Sequence, residues 1–180
     1  PLQYIVCCDM GSGVDFVSSF PLQRPSVLMK TLRASNQALF DAFLDFPKPI
    51  IVAANGPMIG AATTSALLCD AILADPATTF STPFHALGIV PEGCSSYWFA
   101  RVMGPEAAER MLGVEGWRPT AAEAQAGGWV HEVLSARGGH SSGGASHASN
   151  SSPLLEAAQA LAEDWDRRGK RSQIVALGEV

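Results

Sequence analysis

The stretch "PIIVAANGPMIGAATTSALLCDAILA", residues 49–74, limits what this chain can fold into more than any other part of it. "PIIVAA" is apolar on both sides of an extended chain, so a strand there has to be covered on both faces. Asn55-Gly56-Pro57 then forces a turn, "AATTSALLCD" reads as a buried helix, and "AILA" reads as another short strand. A doubly covered strand, a buried helix and a further strand in that order predict an α/β layered architecture.

The remaining segments alternate in the same way. "LQYIVCC" reads as a strand running into the Gly-rich turn "GSGVDF". After Pro25, Ser26 is placed to cap a helix in which Leu28, Leu32, Leu39 and Phe43 recur at roughly helical spacing, and "FPKP" at 46–49 stops it. "TTF" reads as a short strand, "SSYWFARVMG", "PEAAERMLG" and "TAAEAQAGG" as helices broken by Gly and Pro, and "WVHEVL" as a last strand. The segment 135–153, "SARGGHSSGGASHASNSSP", has too little to bury and reads as a flexible linker. It divides a core at 1–134 from a C-terminal helical segment at 154–180, where Leu154, Leu155, Ala158, Leu161 and Trp165 share one side.

Composition narrows the partners. With 180 residues, 47% of them hydrophobic and 16% charged, the chain can bury one sizeable core. The net charge of -5 is scattered, and the 12 Lys and Arg form no stripe that tracks a phosphate backbone, so nucleic acid is not an expected partner. The longest apolar runs are interrupted by Asn, Gly, Pro and Thr, and no secretory leader opens the chain, so neither a membrane span nor secretion is expected. Cys7, Cys8, Cys69 and Cys94 form no C-x-x-C pair, and His85, His131, His140 and His147 are dispersed; the expectation is reduced, mostly buried thiols and no metal. There is no G-x-S-x-G elbow, which argues against a serine hydrolase.

Two turns have the same physical form. "GSGVDF" and "NGPMIGAA" each carry a strand into a Gly-containing turn that opens a helix, where the first backbone N–H groups lack intrahelical partners and attract negative charge. The candidate donors are the N–H groups of Val14 and Ala61, with Gly60, Ala61 and Ala62 small enough to admit a ligand. Two converging N–H groups make an oxyanion hole. Each motif alone is equally an ordinary Gly turn.

Taken together, "GSGVDF", the long string from "KPIIVAANGPMIGAATTSALLCDAILA" through "TPFHALGIVPEGCSSYWFARVMG", and "AEAQAGGWVHEVL" resemble the crotonase (enoyl-CoA hydratase/isomerase) superfamily over most of residues 9–134. "TPF-x-x-LG-x-x-PEGCSSY" is the most specific part, and within the superfamily it is similar to the Δ3,Δ2-enoyl-CoA isomerases of peroxisomal and mitochondrial type. The resemblance implies a spiral of ββα units, N- and C-terminally incomplete here, and a homotrimer. It also implies a coenzyme A thioester as substrate with no further cofactor, and an oxyanion hole at Val14 and Ala61.

It also implies a chemistry. Hydratases of the superfamily carry two glutamates, at the positions that read Thr64 and Phe84 here. Neither residue exchanges a proton at neutral pH, which disfavours hydration. The isomerases use one carboxylate, at the position of Glu92, to move a proton from C2 to C4 of a 3-enoyl-CoA. Ile89, Val90, Tyr97, Trp98 and Phe99 around it predict partial desolvation and a raised pKa. The same acid would suit the first turn of a helix. Gly60, Phe84, Leu87 and Tyr97, with Trp98 and Phe99, are candidates to line an acyl pocket. Trp117 and Trp129 are most simply packing residues, and Asp15 and Asp70 most simply orient backbone. Chromodomain-Y-type corepressors carry a similar domain, so a non-catalytic acyl-CoA-binding or protein-interaction module is the alternative. The C-terminal "GEV" is no S-K-L type address, so a peroxisomal or mitochondrial location rests on the resemblance alone.

Overall fold

The computed structural model describes residues 4–8, 25–134 and 153–172. In chain order the elements are β1 (Tyr4–Cys8), α1 (Pro25–Leu44), β2 (Ile50–Ala54), β3 (Met58–Ile59), α2 (Ala61–Ala66), β4 (Ala71–Ala74) and β5 (Phe80–Ser81). They continue as α3 (Phe84–Leu87), α4 (Ser95–Val102), α5 (Pro105–Leu112), α6 (Ala121–Ala126), β6 (Glu132–Val133) and α7 (Pro153–Arg167). Strands β1-β2-β4-β6 form one parallel sheet in that order, and β3-β5 form a second, two-stranded parallel sheet. Each unit, β2-β3-α2 and then β4-β5-α3, sends its first strand into the large sheet and its second into the small one. This is the expected ββα repeat.

Alternation along the buried strands sets two apolar layers. Val52 and Ala54 of β2, with Ile72 and Ala74 of β4, face Phe80, Phe99, Met111 and Trp129. Their neighbours Ile51, Ala53, Ala71 and Leu73 face Leu154, Ala158, Ala162 and Trp165 of α7. A strand with period-2 side chains between two apolar layers must be apolar throughout, which is why "PIIVAA" shows no polar alternation. The C-terminal helix therefore covers one face of the sheet. Its buried stripe is close to the predicted one, with Ala162 buried and Leu155 and Leu161 only partly so.

Buried hydroxyls stitch the small sheet to its surroundings. Thr63 on α2 is fully buried and donates from Oγ1 to the Met58 carbonyl at 2.8 Å and the Ser81 carbonyl at 3.2 Å, bridging β3 and β5. Thr78 Oγ1 donates to the Ala54 carbonyl at 2.8 Å, and Thr82 Oγ1 to the Met111 carbonyl at 3.0 Å. As expected, Asp70 orients backbone: its Oδ2 accepts from the Ile50 N–H at 2.8 Å.

Several expectations need correction. The "NGPMIG" turn contains β3, and the stretch after "TPF" contains α3; both are too short to give a periodic signal. Among the described side chains of α1 Phe40 is buried, Leu39 exposed and Phe43 half-buried, and those of Leu28 and Leu32 lie outside the described residues. Ser26 lies inside α1, behind Pro25 at its start, where the missing proline N–H costs nothing. Helix α6 has a capping box that the sequence reading did not use, with Glu123 N–H on Thr120 Oγ1 and Thr120 N–H on the Glu123 carboxylate. Cys69 is half-buried and donates from Sγ to the Ser65 carbonyl at 3.2 Å, whereas Cys94 is exposed against the expectation of buried thiols. The helix in 154–180 ends at Arg167, and apart from Pro153 the segment read as a linker lies outside the described residues.

Thr63→Val keeps the shape and takes a hydroxyl donor away from the Met58 and Ser81 carbonyls, the second of which keeps the Gly60 N–H. The expected loss is about 1–3 kcal/mol of unfolding free energy by urea denaturation, and an unchanged midpoint would show that the hydroxyl bridge does not hold the two strands.

Candidate active site

The small sheet delivers one predicted backbone donor. Gly60 N–H donates to the Ser81 carbonyl at 2.8 Å, and the chain then turns through φ 61 and ψ -123, a region open to glycine alone. Ala61 follows as the first residue of α2. Its N–H has no acceptor among the described residues, because the first intrahelical bond of this turn runs from Thr64 N–H to the Gly60 carbonyl at 3.0 Å. The second predicted donor, Val14, lies outside the described residues.

Glu92 stands in the loop before α4, so it is not a first-turn residue of that helix. Its carbonyl accepts from Ser95 N–H at 3.0 Å and from Ser95 Oγ at 2.6 Å. Between them Gly93 (φ 61) and Cys94 (φ 59) are both left-handed, which makes the turn tight enough for one residue to grip both ends. Gly93 also permits a close approach by α1: a Cβ there would lie 2.4 Å from Phe40 Cε1. One helical turn before Phe40, Asn36 hydrogen-bonds the Glu92 side chain. Partial burial pushes the Glu92 carboxyl above the ordinary glutamate range, and the Asn36 bond pulls it part of the way back. Glu92 has no ion pair among the described residues.

The predicted neighbours divide. Leu87 and Tyr97 are exposed to 65% and 62%, and Ile89 and Val90 are exposed as well. Phe84, read as an acyl-pocket residue, is 2% exposed and belongs to the core, as does fully buried Phe99. Trp98 is turned inward and donates from Nε1 to the Leu67 carbonyl at 2.7 Å. The cause is helical geometry: of the consecutive residues 97–99 on α4 only one side can face outward, and Tyr97 takes it. Glu92 is partly desolvated as expected, although Ile89 and Val90 are themselves exposed. Asn36 was missed because no local spacing links it to Glu92. Thr64 is buried, and its Oγ1 donates to the Ala61 carbonyl at 3.2 Å. Trp129 packs edge-on against Phe80, and the half-buried Trp117 carries the Arg110 guanidinium over its ring. Among the described residues no group of His, Cys, Asp and Glu is arranged to hold a metal, and no helix is long and apolar enough to cross a membrane.

A family model described as enoyl-CoA hydratase/isomerase matches residues 11–142, well over half of the chain. The chain belongs to the enoyl-CoA hydratase/isomerase family. A mouse relative in it, enoyl-CoA delta isomerase 3, peroxisomal, is 47% identical over 94 residues, 52% of this chain and 29% of that protein. The human testis-specific chromodomain protein Y 1 is 35% identical over 130 residues, covering 72% of this chain and 24% of that protein. A crystal structure of an enoyl-CoA hydratase/isomerase from Cupriavidus metallidurans superposes with a TM-score of 0.55 at 26% identity, over 67% of this chain and 43% of that one. The chain thus spans less than a third of the length of these two curated relatives.

In this member of the family the environment of Glu92 can be tested without turnover. Asn36→Leu removes the bond that favours the ionised form, so the Glu92 carboxyl titration followed by carbon-13 NMR moves to higher pH; an unmoved titration contradicts the contact. Because the folded pKa lies above the unfolded value, Glu92 contributes its stability below about 4.3 and loses it as pH rises through the folded value. At neutral pH Glu92→Gln therefore unfolds at the same temperature as the wild type or higher, and a lower Tm would contradict the burial.

Proposed function

We propose that the chain carries the catalytic part of a Δ3,Δ2-enoyl-CoA isomerase acting in fatty acid β-oxidation. The observation that carries this reading is a half-buried carboxylate, Glu92, held by a neutral amide and paired with no cation among the described residues. A raised pKa makes it a stronger base than a carboxylate in water. In the proposed reaction the Glu92 carboxylate takes a proton from C2 of a 3-enoyl-CoA. The electron pair moves onto the thioester oxygen, which accepts hydrogen bonds from the N–H groups of Ala61 and Val14. The enolate then collapses as Glu92 returns the proton to C4, leaving trans-2-enoyl-CoA. Each oxyanion donor is worth roughly 3–4 kcal/mol in such a transition state. One base suffices for this 1,3-shift.

Adding water needs a second acid-base group. Thr64 spends its hydroxyl inside α2 and Phe84 is core, so the two positions that would carry hydratase carboxylates offer none. The acyl chain would lie against Gly60, Leu87 and Tyr97, while Phe84 belongs to the core. The coenzyme A thioester is the substrate and no additional cofactor is required. The proposal extends to a homotrimer in peroxisomes or mitochondria, in keeping with the peroxisomal name of the mouse relative.

A second reading is favoured by a specific observation. The match to the human chromodomain protein extends over more of the chain than the match to the mouse isomerase, 130 residues against 94. On that reading the domain holds acyl-CoA or another protein and turns nothing over.

With the full-length protein, 3-enoyl-CoA and an ultraviolet readout of conjugation, the wild type is expected to isomerise the substrate, and Glu92→Gln to lower kcat by about 10²–10⁴. Equal and slow conversion by both, with 3-enoyl-CoA still bound, supports the module.

A further inference from the structure

His131 stands at the entry to β6, tied twice to one residue of β4. Its backbone N–H donates to the Ile72 carbonyl at 2.8 Å, and the Ile72 N–H donates to its Nδ1 at 3.2 Å. A ring nitrogen accepts a hydrogen bond only while unprotonated, so this arrangement needs the neutral imidazole with its proton on Nε2. Charged groups face the ring from three further elements. Asp70 precedes β4, Lys170 follows the turn that ends α7, and Arg101 on α4 lines the same cavity of about 460 Å³. Glu132, the next residue along β6, is exposed. Lys170 is itself fixed, with Nζ 3.4 Å from the ring centroid of the buried Trp165 and its N–H on the Trp165 carbonyl at 3.0 Å. His131 is exposed as a residue, but partial desolvation of its ring, together with Lys170, pushes it below the ordinary histidine range, and Asp70 opposes them.

We propose that His131 is a proton-sensitive latch: uncharged, it fastens β6 to β4 and lets the end of α7 lie beside it, and charged, it releases both. Protonation places a donor on Nδ1 facing the Ile72 donor, so a backbone N–H loses its acceptor. It also sets a second cation beside Lys170, whose position is held by Trp165. The two effects act on neighbouring parts of one sheet edge, because β6 is an outer strand and α7 covers the face on which Leu134 packs. The folded pKa lies below the unfolded value of about 6.5. The stabilising contribution is therefore complete above about 6.5 and is lost as pH falls from there through the folded pKa. Solvent reaches His131 directly, since the residue is exposed.

The test uses the full chain. Nitrogen-15 NMR of the imidazole near pH 7.5 is expected to show the Nε2–H tautomer, with a titration midpoint below that of a free histidine; Lys170→Met moves that midpoint upward. In thermal unfolding the wild-type Tm falls more steeply between about pH 7.5 and 5 than that of His131→Asn, whose Oδ1 can accept from Ile72 N–H without titrating. An Nδ1–H tautomer, a midpoint at or above the free value, an unmoved midpoint in Lys170→Met, or equal pH dependence in wild type and His131→Asn each overturns the latch. Should His131→Asn fail to fold, the ring titrations of the wild type and Lys170→Met still decide.

Discussion

The candidate site depends on one contact between distant parts of the chain, where α1 lies on the turn that carries Glu92. Phe40 fills the space that a side chain at position 93 would occupy, and Asn36 reaches the carboxylate next door. Neither half works alone. Without the glycine, Phe40 could not approach the turn; without α1, the Glu92 carboxylate would lose the Asn36 bond. The backbone side is equally constrained, since the Ser95 N–H and hydroxyl both hold the Glu92 carbonyl and leave the side chain as the free end.

The same arrangement sets a cost against folding. An ionised carboxylate that is half out of water, with an amide in place of a cation for partner, is less stable folded than unfolded at neutral pH. The two sheets offset costs of this kind elsewhere: doubly covered strands bury Ile51, Val52, Ile72 and Leu73, and Thr63 ties β3 to β5 from within the core. That tie lets Gly60 keep its unusual backbone and leave the Ala61 N–H without an internal partner. Stability is thus concentrated in the layers, and strain and unmet polarity sit at the ends of the strands, as is general for sites grafted on rigid scaffolds.

Much of the fold was legible in the sequence because its core is so uniform. "PIIVAA" and "AILA" could only be covered strands, the 3.6-residue stripe of α7 picked out Leu154, Ala158 and Trp165, and the order of elements implied α/β layers. Elements of two to four residues, β3 and α3, fall below the length at which periodicity means anything. The site was legible in part. A rare string of residues pointed to Glu92, and the Gly turn pointed to Ala61, but Asn36 and Phe40 act through a long-range contact with no trace in local spacing. The aromatic run at 97–99 misled for a related reason: sequence shows three adjacent large residues, and only the helix decides that Tyr97 faces out while Trp98 and Phe99 face in.

The central claim is that one carboxylate carries the proton from one carbon to the other. Isomerisation of a 3-enoyl-CoA deuterated at C2, with product analysed by NMR or mass spectrometry, tests it most directly. A half-buried single base predicts that a measurable share of the deuterium reappears at C4 of the 2-enoyl product in the wild type. Product formed at full rate with every label lost to solvent would mean that water or a second group delivers the proton, and would contradict the account.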